Sequence, residues 1–420
     1  METLEHPVTD ALLQVDGQRL WDSLMEMARI GATPKGGVCR LALSDEDRAG
    51  RDLFVRWARE AGCSLSVDRI GNVFARRAGR DDSLPAVLVG SHADSQPTGG
   101  RFDGIYGVLA GLEVLRSLND HGIVTEHPVE AAIWTNEEGS RFAPAMVASG
   151  VFAGVFELEY GLSRKDTSGK TLGEELARIG YAGTTPVGGR PLAACFEVHI
   201  EQGPILENEG RTIGVVTGAQ GQRWYELTLT GQESHAGPTP MTLRRDALLG
   251  AARVVQLVNR IGLQFAPLAC ATVGMLNVYP NSRNVIPGSV FLTVDFRHPD
   301  DAVLARMDEE LRAGLERVVA EGGLESALEQ IFYYAPVAFA APCIAAVRDA
   351  TQALGYSHRD IIAGAGHDSC YLAGIAPTAM IFVPCIGGIS HNEIEDARPE
   401  WITAGANVLF NSVLSMAGRA

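Results

Sequence analysis

Cysteine is scarce and unpatterned in this chain. The 420 residues hold seven: Cys39, Cys63, Cys195, Cys270, Cys343, Cys370 and Cys385. The number is odd, the positions are scattered and no C-x-x-C occurs. That argues against a disulfide framework or a zinc ribbon and for a reducing, cytoplasmic setting. A basic stripe is missing too. The formal net charge is -16, and the densest basic stretch is Arg76-Arg77 with Arg80 nearby, which reads as a solvated face. No nucleic-acid partner is expected. No run of about 18 uncharged apolar residues occurs, so no membrane span is expected. The opening METLEHPVTDALLQ has neither a basic nor an apolar leader region, so no secretory signal is expected. Internal repeats and low-complexity tracts are absent.

What is present suits a globular protein. Apolar residues make up 46% and charged residues 20%, enough for a sizeable core and unlike a disordered chain. The length suggests two or three domains at about 100–200 residues each. A helix is expected near Trp21–Ile30, and a second after Ser44, whose S-x-x-D pattern to Asp47 resembles a capping box. Short apolar runs then alternate with helical patterns. PAVLVGS (Pro85–Ser91), AAIWT (Ala131–Thr135), CFEVHI (Cys195–Ile200) and TAMIFVP (Thr378–Pro384) read as strands buried on both faces. Gly104–Leu118, Cys343–Leu354 and Glu400–Met416 read as helices.

The central block differs. RWYELTLTG (Arg223–Gly231) alternates like a half-exposed strand. Helix Leu243–Ile261, strands Ala271–Val278 and Val290–Arg297, helix Asp301–Val319 and a strand at Gln330–Tyr334 follow. This βαββαβ order is that of a ferredoxin-like unit. The expected fold is therefore α/β: a mixed-sheet domain (residues 1–212 and 329–420) carrying an inserted α+β domain (213–328).

Chemistry-bearing residues collect where predicted strands end, the place where open α/β sheets bind ligands. In GSHADSQPTGGRFDG, His92 and Asp94 leave a strand end on one side of an extended chain, and Asp103 follows across a Gly-rich loop. One imidazole and two carboxylates suit a divalent cation; a turn with ordinary capping aspartates is the plainer alternative. NEEGSRF puts Glu137 and Glu138 at the mouth of AAIWT. Adjacent carboxylates repel unless a cation or shared proton relieves them, and one can ligate while its neighbour handles protons. A solvated loop with incidental glutamates is the alternative there. FEVHIEQGP places His199 in an apolar strand, where a satisfied core histidine is the competing reading. GGISHNEIE places His391 after another strand. Together His92, Asp103, Glu138, His199 and His391 suffice for two adjacent cations sharing Asp103. In the central block, His235 (GQESHAGPTPM), Asn284 (PNSRNVIPG) and Arg297 could hold a carboxylate and polarise a carbonyl. An Arg297 ion-paired with Asp295 or Asp300 is the alternative.

The set GSHADSQPTGGRFDG, NEEGSRF, FEVHIEQGP, ESHAGPTPM, NVIPG with DFRHPD, GAGHDS and GGISHNEIE resembles the amidase/hydantoinase/carbamoylase branch of the M20 metallohydrolases. That branch holds N-carbamoyl-L-amino-acid hydrolases, allantoate amidohydrolases and β-ureidopropionases. The motifs span residues 90–395 in the family's order. The resemblance implies His92, Asp103 and His199 as metal ligands with Asp103 bridging, and Glu138 and His391 as ligands of a second ion. It implies Glu137 as general base and Asp94 as the group orienting His92. Gln202, His235, Asn284 and Arg297 become substrate contacts, with Arg297 and Asn284 on the substrate carboxylate and His235 on the oxyanion. It further implies two divalent ions per subunit (Zn, Mn, Co or Ni), a small ureido-acid substrate, a homodimer, and an inserted domain that closes over the site, makes the dimer contact and lends His235 to the partner subunit. Ala93 stands where Leu is usual in that branch, and Ser369 where Ala is frequent; neither removes a ligand. The implied reaction is hydrolysis of a carbamoyl C–N bond to an amino acid, CO2 and ammonia. The alternatives are allantoate or β-ureido acid hydrolysis, an M20 dipeptidase or aminoacylase, a non-catalytic binding module, which would not need Glu137, and a metal-stabilised structural protein, which would favour a Cys-rich site.

Overall fold

The structure is a computed structural model that describes residues 13–419. The leader reading at residues 1–14 lies almost wholly outside that range. The chain divides into two compact units, one holding residues up to Thr217 and from Phe339 onward, the other Gly218–Ala338.

The larger unit is built on a mixed sheet. Its strand order is Ser64–Val67, Val73–Arg77, Val129–Trp134, Ala86–His92, Leu192–Ile200, Thr378–Val383, Ile213–Ala219, with His358–Ala363 also paired to the last. The four middle strands run parallel to one another, and pairing toward both edges is antiparallel. These are the apolar runs expected from sequence, and they are buried almost throughout. Alternate side chains go to opposite faces. Val87, Val89, Ala131, Ile133, Phe196, Val198 and Ile381 join the large core with the helices Gly17–Met27, Ile105–Asp120 and Pro399–Ala417. Ala86, Leu88, Ala132, Trp134 and Cys195 join a smaller cluster with Phe152 and Leu372. By the same parity His92, Glu197 and His199 belong to the smaller-cluster face.

The second unit has the expected βαββαβ order. The sheet runs Leu276–Tyr279, Ser289–His298, Gly221–Thr230, Glu325–Tyr334, every pair antiparallel. The Ser289–His298 strand alternates between buried and half-buried positions. Its buried members Val290, Leu292, Val294 and Phe296 pack with Tyr225, Leu227 and Leu229 against helices Ala247–Gln264 and Asp301–Gly322. A sheet covered on one face only is what period-2 alternation encodes.

The inserted unit thus runs from 218 to 338, not from 213 to 328. Ile213–Ala219 is an apolar run that pairs with Thr378–Val383 in the larger sheet. Glu325–Tyr334 is a mostly exposed edge strand, and the strand expected at Gln330–Tyr334 is twice as long because backbone pairing, not burial, defines it. The strand expected at Ala271–Val278 is two, Cys270–Thr272 and Leu276–Tyr279. Ser44 caps its helix by accepting from Asp47 N, but the Asp47 carboxylate bonds Leu43 N and Arg51 instead of closing a capping box. A reciprocal box is formed by Thr171 and Glu174.

Candidate metal centre

His92 is the last residue of its strand. Its Nδ1 lies 2.9 Å from the Asp94 carbonyl, so Nδ1–H donates and Nε2 is turned to the site. His199 repeats the arrangement one strand over, with Nδ1 2.8 Å from the Ile200 carbonyl. Both Nε2 atoms face one oxygen of Asp103: Oδ1 is 3.6 Å from His92 and 3.1 Å from His199. The other oxygen, Oδ2, is 3.3 Å from His391 Nε2, and that nitrogen is 3.3 Å from Glu138 Oε2. Asp103 therefore offers one oxygen to each of two donor sets, His92/Asp103/His199 and Asp103/Glu138/His391. Within each set the donor atoms lie no more than 4.8 Å apart.

Local backbone makes this convergence possible. Gly104 (φ +65) turns the chain so closely under His92 that a Cβ there would stand 2.3 Å from the ring; only glycine fits. Asn136, Gln202 and His391 all take left-handed backbone, a conformation held only where the surroundings enforce it. Asn136 is held by its side-chain N–H to the Phe142 carbonyl, and Thr135 N donates to buried Asn72.

Asp94 orients His92, as expected, but through its main chain, which leaves its carboxylate free for a second task. That carboxylate accepts from the backbone N–H of Glu137 (3.2 Å) and Glu138 (3.3 Å). The i+2 geometry placed it on the right side; the turn behind it brought the glutamate amides within reach. Gln96 holds Glu138 through its side chain (2.7 Å) and backbone N (3.1 Å). Glu137 is buried with Oε2 3.5 Å from His92 Nε2. Gln202 donates to Asp103 Oδ2 at 3.1 Å.

The electrostatics call for cations. Burial raises Asp94 to about 7 and, with Asp103 beside it, Glu138 to about 8. Burial and the neighbouring Asp368 and Glu138 push Glu137 well above the usual range. Burial works against Asp103 as well, but the His199 and His391 imidazoles beside its two oxygens hold it well below an ordinary carboxylate. His199 is lifted to about 9 by Asp103 against the effect of burial, and His391 to about 9 mainly by its bond to Asp103. Burial drops His92 to about 4. Asp103 Oδ1 is buried without a hydrogen-bond donor. A cation between these acceptors offsets the cost of burying the Asp94, Glu137 and Glu138 carboxylates so close together, and mixed imidazole and carboxylate ligands suit divalent ions. The donor set fits the metal that the sequence implies.

Behind His199 lies a buried polar cluster that the motif reading did not assign. Glu197 accepts from Ser91 Oγ (2.7 Å) and Ser369 Oγ (2.7 Å). The His367 ring is 4.7 Å from His199 at 60°, and Asp368 is hydrogen-bonded to Ser149. Glu197, His199 and His367 form a third donor group. Spacing offered a signal, since Glu197 precedes His199 by two on the same strand face.

In the second unit, Ser234–His235 pairs with Val285–Ile286, and Ala236 N donates to the Asn284 carbonyl at 2.9 Å. His235 and Asn284 thus sit together, beyond the sheet end where Thr230 faces Ser289. Arg297 faces Gln222 at the opposite end of the same strand. From 289 to 297 that is roughly 26 Å at about 3.3 Å per residue. The expectation that Arg297 and Asn284 grip one substrate carboxylate fails within a single chain, because most of the ten-residue strand Ser289–His298 separates them. Arg297 pairs with Asp295, Nη2 to Oδ2 at 2.9 Å, while Asp300 caps the following helix.

A parallel-centred sheet with two carboxylate–imidazole donor sets at its strand ends, and a ferredoxin-like insertion, is the arrangement of a metallohydrolase. Residues 88–415 match peptidase family M20/M25/M40, and the chain belongs to it. The N-carbamoyl-L-amino-acid amidohydrolase of Rhizobium meliloti is 52% identical over 96% of this chain and 97% of that protein. The allantoate amidohydrolase of Bacillus subtilis is 31% identical over 94% and 97%. Among solved structures, a hydantoinase/carbamoylase family amidase from Burkholderia multivorans superposes with a TM-score of 0.94 at 75% identity, covering 96% of this chain and 98% of that one. Among the described residues no helix is long and apolar enough to cross a membrane.

Proposed function

We propose that the chain hydrolyses the carbamoyl C–N bond of an N-carbamoyl-L-amino acid, releasing the amino acid, CO2 and ammonia. The observation that carries this reading is the convergence of His92, Asp103, Glu138, His199 and His391 around buried Glu137. Two divalent cations per chain (Zn, Mn, Co or Ni), when held by these five residues, would acidify a water and polarise the carbamoyl oxygen. Glu137, kept basic by burial among carboxylates, takes a proton from the attacking water and returns it to the leaving nitrogen. Asp94 fixes the turn from which Glu137 projects. Gln202, beside Asp103, contacts the ureido group.

Arg297 holds the substrate carboxylate, and His235 donates to the developing oxyanion, with Asn284 beside it. The strand-length gap between them supports a site completed by a second copy of the chain, and hence a homodimer in which the inserted unit makes the contact and closes over the substrate. The exposed thiol of Cys270, with Cys39, Cys63, Cys195, Cys343 and Cys385 also free of disulfides, suits the cytoplasm.

Allantoate is the second reading, and the 52% against 31% identity ranks it lower. The test is turnover of N-carbamoyl-L-amino acids, N-carbamoyl-β-alanine and allantoate by metal-free protein reloaded with each ion. Fastest turnover of an N-carbamoyl-L-amino acid supports the proposal; turnover confined to peptides or N-acyl amino acids overturns it.

A further inference from the structure

Glu395 is a buried side chain beside the donor sets that this reaction leaves unused. It is 1% exposed, lies four residues after His391, and ties two parts of the site that are almost three hundred positions apart in sequence. Its Oε1 accepts from the backbone N–H of Phe102 (3.0 Å) and Asp103 (3.1 Å). Its Oε2 accepts from Ser390 Oγ at 2.8 Å. Ser390 adjoins His391, and its hydroxyl lies 3.1 Å from Asp103 Oδ2.

The two donor sets differ in what holds them. His92 and His199 ride on paired strands, with their Nδ1 atoms tied to the nearby Asp94 and Ile200 carbonyls and His199 Nε2 also accepting from Gly104 N. His391 rides on a loop, is half exposed and takes left-handed backbone. Its ring reaches Asp103 and Glu138 directly, and its backbone is tied to the Asp103 segment by the bridge from the Phe102–Asp103 amides through Glu395 to Ser390. We propose that Glu395 is a positioning residue for the Asp103/Glu138/His391 set, setting affinity for one of the two cations and leaving the other to the strand-borne imidazoles. This inference rests on the two-cation reading above.

The test is an equilibrium titration of the metal-free full-length chain with Zn2+ or Mn2+ against a chromophoric chelator, with ions per chain counted by elemental analysis. Wild type should bind two. Glu395→Ala should bind one ion as wild type does and the other about 10–100-fold more weakly, the usual cost of losing a group behind a ligand. Glu395→Gln keeps the acceptor for both amides and should return the weakened step to within a few-fold of wild type. If Glu395→Ala does not fold, Ser390→Ala, which removes only the hydroxyl link, should weaken the same single step. Two unchanged steps in whichever of these two variants folds, or two steps weakened alike, overturn the proposal. A wild type that binds fewer than two ions brings down the two-cation reading and this inference with it.

Discussion

The two units solve opposite problems with the same kinds of element. The larger one buries its sheet on both faces and collects ionisable groups at strand ends, where burial raises Asp94 to about 7 and Glu138 to about 8. The inserted one covers a single sheet face and keeps His235 and Asn284 exposed beyond one end of the sheet and Arg297 part-exposed at the other. In the proposed function the first concentrates charge around the bond to be broken and the second reaches the substrate from two separated points. Chemistry and recognition should therefore separate under mutation.

The largest effect should come from the first unit. Glu137→Gln keeps the side chain's shape and removes the base. It should lower kcat by about 10²–10⁴, the range for a positioned acid–base group, with KM and bound metal near wild type. Activity within tenfold of wild type would break the contrast at its strongest point. A smaller effect of another kind is expected from the second unit. Arg297→Lys keeps the charge and loses the planar fork, and should raise KM by about 10–100-fold with kcat changed far less. Mixing an Arg297→Ala preparation with a His235→Ala preparation sharpens this point. If each site draws Arg297 and His235 from different copies, hybrids regain one intact site and activity reappears; no recovery in verified hybrids contradicts a shared site.

The third expectation concerns pH and the metal-free protein. Burial, with Asp103 beside it, pushes Glu395 up to about 7, near Asp94 and below Glu138. His199 and His391 sit at about 9. All five folded-state values exceed the unfolded ones, so the folded chain holds more protons, and stability falls as pH rises through them. His92, lowered to about 4, acts the opposite way only below its ordinary value near 6.5. Between pH 6.5 and 9 the direction is therefore single: the melting temperature of the metal-free chain should fall, and the gain on adding metal should widen. A flat difference between metal-free and loaded protein across that range would contradict the electrostatic account of the centre.

Much of this was legible in the sequence, and for a physical reason. Strands buried on both faces must be apolar, so His92, the Glu137-Glu138 pair and His391 stand out where such runs stop. Other features depend on contacts that no local pattern encodes. Glu197 and His199 both lie within the apolar Leu192–Ile200 strand, yet only the imidazole invites a ligand reading, and the two serine hydroxyls that satisfy Glu197 come from positions 91 and 369. The hydroxyl of Ser369, read as a neutral departure from Ala, is one of them. Glu395 reads as one more surface acid until the fold brings the Asp103 amide to it. Asp94 was read as orienting His92 and does so through its backbone carbonyl; that its carboxylate also accepts from the Glu137 and Glu138 amides was not legible, because the turn at Asn136 depends on left-handed backbone that sequence spacing does not reveal. The separation of Arg297 from Asn284 follows from strand register, which becomes visible only when Gln222 and Thr230 are seen at opposite ends of the neighbouring strand.

The central claim is that one carboxylate, Asp103, serves both cations. Metal titration of Asp103→Ala tests it most directly: the account predicts that both binding steps weaken together while the metal-free fold persists. A variant that loses one ion and binds the other with wild-type affinity would contradict it.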